Sequence, residues 1–113
     1  MTNGCYGRIT GLQTLVLGVA GRVLQFADET DSVPESTRLK VMRMSYRALC
    51  NKTGADFGYD LAAWHEHLQS TSPHNESYMH PYAWAGVSRA IVELIDDPDR
   101  IRLADLIESE DNA

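Results

Sequence analysis

The chain has 113 residues, 43% hydrophobic and 23% charged, with a net charge of −6 at pH 7. This is the make-up of one globular domain that can bury a core without metal or disulfide staples, and it excludes a wholly disordered chain. The acid excess (pI near 5.0) argues against generic binding to nucleic acid or an anionic membrane, both of which need a positive field.

The first predicted element is a helix from Tyr6 to Ala27, in which Ile9, Leu12, Val16, Val19, Val23 and Phe26 recur at spacings of three and four and form one apolar stripe. It is rich in glycine, which weakens a helix by about 1 kcal/mol relative to alanine. On a helical wheel Gly4, Gly7, Gly11, Gly18 and Gly21 fall on one narrow stripe with Thr14. Such a stripe is a groove that another backbone could approach closely, so it either receives a helix of the same chain or meets a partner or a second copy. Gly7 and Gly11 form a GxxxG, a spacing that many unrelated helices share. The apolar run from Leu12 to Gly21 is too short to span a bilayer, which takes ~20 apolar residues. It resembles a weak signal-peptide core, but the helical period continues past any cleavage point.

The second helix is expected to start at Ser32-Val33-Pro34-Glu35, a capping box with Ser32 as cap and Glu35 three residues on, and to stop at Gly54. Leu39, Met42, Tyr46 and Leu49 make its apolar face. Between Arg38 and Lys52 there are five basic residues and no acidic ones, and Lys40, Arg43 and Arg47 share one helix face. That stripe is either a solvated face balanced by the acidic C-terminal half or a patch for an acidic partner. Three aligned charges are too few for sequence-specific nucleic-acid recognition.

Asp60 is expected to cap a third helix that carries Leu61, Trp64 and Leu68 inward and ends before Pro73. The polar stretch Ser70–Ser77 reads as a loop. Pro81 suits the first turn of a fourth helix with Ala83, Trp84, Val87, Ala90, Ile91, Leu94 and Ile95 on its buried face. Asp97 and Pro98 then cap and open a fifth, packing through Ile101, Ala104 and Ile107 with Leu103 and Leu106 beside them. No stretch alternates as a strand does. The expected fold class is all-α: a compact bundle of four to five helices, forming a single domain over residues 1–113 with both ends frayed.

All four histidines, His65, His67, His74 and His80, lie in a sixteen-residue stretch, and six of the nine aromatics lie between Phe57 and Trp84. Imidazole with carboxylate could bind a transition metal or move protons. The spacing opposes a preformed site, because on one helix His65 and His67 point about 160° apart and a zincin needs histidines four apart. The four histidines are therefore weak metal candidates. Tyr78, Tyr82 and Trp84 are candidate contact residues, since Tyr and Trp concentrate at binding hot spots.

No nucleophile elbow, phosphate loop, dinucleotide fingerprint or calcium loop is present. The reading is a small acidic protein that works by protein–protein contact as a regulatory, inhibitory or adaptor module. Its partner would be another protein or a second copy, met through Gly7, Gly11, Gly18 and Gly21, through Tyr78, Tyr82 and Trp84, or through Lys40, Arg43 and Arg47. No cofactor, membrane or nucleic acid is expected. The alternative is a ligand- or metal-binding protein or small enzyme built on residues 57–84. Cys5 and Cys50 fit no ligand spacing and read as reduced thiols in a cytoplasmic protein.

Overall fold

The computed structural model describes residues 11–22, 33–72 and 74–111. Among them are six α-helices and no strand: α1 Gly11–Val19, α2 Glu35–Thr53, α3 Leu61–Ser70, α4 His74–Tyr78, α5 Trp84–Ile95 and α6 Pro98–Asp111. The all-helical bundle is as expected, but with six helices in place of four or five. The radius of gyration is 13.3 Å, which is about the value for a folded chain of this length.

The extra helix is α4, which lies in the stretch that reads as a loop. It is only one turn long, and its single fully buried side chain, Tyr78, comes at its end. A helix with one core contact leaves no periodic signature in the sequence.

Short α1 is the central element. Leu12, Val16, Leu17 and Val19 are all buried, and the helix packs most extensively on α2 and also against α3, α4 and α5. It stops eight residues before the predicted Ala27. Gly21 takes the left-handed conformation (φ 86°), with its N–H bonded to Gly18 O and the Arg22 N–H to Leu17 O. These two bonds are the Schellman ending of a helix, which favours glycine because other residues strain at positive φ. Residues 23–27 and the predicted start at Tyr6 lie outside the described residues.

α2 begins at Glu35. Pro34 stands at the cap position, and its carbonyl accepts from Thr37 and Arg38, so Glu35 is the first helical residue and not the third after a cap at Ser32. Ser32 lies outside the described residues. Met42, Ser45 and Leu49 are buried, while Leu39 and Tyr46 are half-buried against the core. Gly54 ends the helix as expected, left-handed at φ 74° with its N–H on Cys50 O.

Asp60 caps α3, accepting from the Ala63 N–H at 3.1 Å. Leu61, Trp64 and Leu68 are buried, and Trp64 Nε1 donates to Gly58 O at 2.9 Å, which satisfies the one polar atom of a fully buried ring. Residues 81–83 form a turn, so α5 begins three residues later than Pro81 suggests, with Val87 N–H closing on Ala83 O. Its buried face is Ala83, Val87, Ala90, Ile91 and Leu94, with Trp84 and Ile95 half-buried. Asp97 caps α6 as expected, accepting from the Arg100 N–H at 3.0 Å.

Candidate partner-binding surface

α6 is where the predicted core face fails. Leu103, Ala104 and Ile107 are buried, joined by Arg100, but Ile101 is 41% and Leu106 36% exposed. At about 100° per residue, positions 100, 103, 104 and 107 share one arc, and 98, 101, 102, 105 and 106 share the opposite one.

Arg100 chooses between these arcs. Only 7% exposed, it donates Nε to Leu94 O at 2.6 Å, one terminal nitrogen to Ile95 O at 2.6 Å and the other to Tyr59 O at 3.2 Å. Leu94 and Ile95 end α5, where helix carbonyls lack intrahelical partners and the dipole favours a cation. The planar guanidinium suits this task because its donors diverge in a fixed fork. Once Arg100 is seated, Ile101 and Leu106 are turned away from the core.

Two adjoining shallow grooves run along that outer face. One, of about 560 Å³, is lined by Asp96, Pro98, Ile101, Arg102, Asp105 and Leu106. The other, of about 300 Å³, has Phe57, Tyr59, Ile101 and Ala104 in its wall and Asp60, Asp105 and Glu108 among its polar groups. They share Ile101 and Asp105, so the surface mixes apolar side chains with carboxylates, and Arg102 lies within it. Asp96, Asp105 and Glu108 are exposed and enter no ion pair among the described residues. Burial lowers the proton affinity of Arg100, and the fields of Asp60, Asp97, Asp96 and Asp105 act against that shift.

The α6 side that meets α2 is different, because Asp99 and Glu110 there are both paired. Asp99 binds Arg38 at 2.5 Å and Arg102 at 2.7 Å, Arg102 also reaches Glu35 at 2.8 Å, and Arg43 pairs with Glu110. Hydrogen bonds from Arg102 and then Arg38 hold the Asp99 carboxyl below the usual range. Arg38 also donates to Gly21 O at 3.1 Å, which ties the end of α1 into this seam. Of the basic stripe, Arg43 belongs to the seam, while Lys40 and Arg47 are exposed.

The remaining predicted site residues are dispersed. A Cβ built on Gly18 would lie 2.8 Å from Ser45 Cβ and closer still to its Oγ, so α2 fills the groove at that point. Gly11 has nothing within 4 Å of such an atom, Gly21 closes the helix, and Gly7 lies outside the described residues. Tyr78 is fully buried and so presents no surface to a partner, Trp84 is half-buried, and Tyr82 is 66% exposed.

The four histidines have separate neighbours. His65 Nδ1 lies 2.7 Å from the Tyr78 hydroxyl, and its ring stacks on Trp84 at 5.8 Å. His67 packs on Phe57 and faces Thr71, His80 packs on Tyr82, and His74 opens α4. Among the described residues no group of three or more His, Cys, Asp or Glu is placed to hold a metal ion. Burial pushes the His65 imidazole below its ordinary pKa and the Tyr78 phenol above its own. Both groups are therefore neutral, and they share a hydrogen bond whose donor is set by the imidazole tautomer. Because the folded state resists protonating His65, its contribution is intact above the unfolded value of about 6.5 and is lost as pH falls through the lower folded value. Urea unfolding at about pH 7.5 and about pH 5 should show a loss in the native protein that is smaller in His65→Phe. An equal loss in both would remove His65 from the acid response.

Sequence reasoning missed Arg100 and the outward turn of Ile101 and Leu106. The available signal was five apolar residues in α6 spread too widely around the helix for one contact. No described helix is long and apolar enough to cross a membrane. Comparison with family models, curated proteins and solved structures finds no significant match for this chain.

Proposed function

We propose that this chain is a binding module, a regulatory, inhibitory or adaptor protein that acts by docking another protein on the outer face of α6. The observation that carries this is the exposure of Ile101 and Leu106, at the two margins of the α6 face turned away from the bundle. Contiguous apolar surface with a polar rim marks interaction sites on folded proteins, whereas single exposed apolar residues such as Met44 need no explanation. Contact through the glycine stripe is less favoured, because α2 occupies the groove at Gly18. For the histidine region, the aromatic and imidazole rings are engaged with one another in the packing. We place the protein in the cytoplasm on its cysteine usage, with burial holding the Cys50 thiol above its ordinary pKa and therefore poorly reactive. A photo-crosslinking side chain at position 106 should capture a protein partner in cells, and one at position 11 should not.

A further inference from the structure

We infer that the occupant of the α6 face is a basic amphipathic helix from another protein, a proposal that rests on the docking role of this face. The charge of the face points to it. Pro98, Ile101 and Leu106 share this face with Asp96, Asp105 and Glu108, none of which enters an ion pair among the described residues, and with Arg102, whose charge is already met by Asp99 and Glu35. Elsewhere on α6, Asp99 and Glu110 each have an arginine. The free carboxylates are thus concentrated where the apolar residues are also uncovered.

A helix laid in an apolar groove presents anchors at spacings of three, four and seven, with cations on its flanks to meet the carboxylates. A second copy of this chain is disfavoured by the same residues. An isologous contact would bring the Asp105 and Glu108 carboxylates of both copies into one interface, and like charges brought together and desolvated oppose association. An anionic lipid surface is opposed for the same reason.

The probe is a labelled synthetic helix of about 14 residues, the length of α6, with leucine at helical spacing and lysine on both flanks. Its controls are the same composition in permuted order and a version with glutamate for lysine. Fluorescence anisotropy should show saturable binding of the first at ~150 mM salt, weakened but not abolished at ~500 mM. The permuted peptide should bind on the order of tenfold or more weaker, and the glutamate version not at all. Ile101→Asp and the charge reversal Asp105→Lys with Glu108→Lys should each weaken binding by a similar factor, with amide spectra showing an intact fold. Equal binding of the ordered and permuted peptides, or binding indifferent to Ile101→Asp, overturns the inference. So does a concentration-dependent dimer that Ile101→Asp dissolves. If crosslinking at position 106 captures a partner through a segment that is not basic, the partner chemistry is wrong and the docking role stands. If nothing is captured there, the docking role itself fails.

Discussion

Arg100→Ala is expected to cost about 3 kcal/mol or more of folding stability. The guanidinium is buried and donates to three carbonyls, two at the end of α5 and one in the segment before α3. Leu94 O keeps the Asp97 N–H, but Ile95 O and Tyr59 O lose the donor, and such a loss at a buried acceptor costs more than a typical hydrogen bond adds. Arg100→Lys should recover little, because a compact ammonium cannot reach carbonyls on separate segments at once. Urea unfolding with an unchanged slope and a much lower midpoint would confirm the effect. A loss under about 1 kcal/mol would mean that water replaces the guanidinium freely and that Arg100 does not set the rotation of α6.

Gly18→Leu is expected to be comparably damaging, by about 3 kcal/mol, and Gly18→Ala by about 1 to 3 kcal/mol. Even a methyl group there meets Ser45 Cβ at 2.8 Å, so α1 and α2 must separate or one must shift. Ser45→Gly should restore part of the loss in Gly18→Ala, because it removes the atoms that are struck. Gly11→Ala, in the same helix, should be neutral or stabilising by up to about 1 kcal/mol, since nothing lies within 4 Å and alanine is the better helix former. Equal effects at both positions would contradict a close α1–α2 approach at Gly18.

What could be read from the sequence follows from how local the chemistry is. Asp60, Asp97 with Pro98, and Gly54 mark helix ends through bonds spanning only a few residues, and all three act as read. The buried face of α5 was equally legible because its apolar residues keep one period. Gly21 was not, since a glycine that ends a helix and one that lines a groove have the same spacing. Nor was α4, whose one turn is held by Tyr78 on the core and by Gln13, fully buried, donating to Tyr78 O at 2.8 Å from sixty-five residues away.

The candidate site was hidden for a related reason. With apolar residues at 101, 103, 104, 106 and 107, the apolar arc of α6 spans about 220°, too wide to bury whole, and local pattern does not say where its buried part ends. The choice is made by a charged residue, Arg100, whose partners lie in the turn before α3 and at the end of α5. The basic stripe on α2 gave the seam in part: an acidic counterpart in the C-terminal half was expected, and Arg43 finds it in Glu110.

The most direct measurement replaces Leu106, Tyr82 and Gly11 one at a time with a photo-crosslinking aromatic amino acid and irradiates intact cells. The account predicts a discrete adduct of the chain with another protein from position 106, abolished by adding Ile101→Asp, and none from position 11. Adducts from position 82 or 11 alone, or no adduct at 106 in a correctly folded protein, would contradict it.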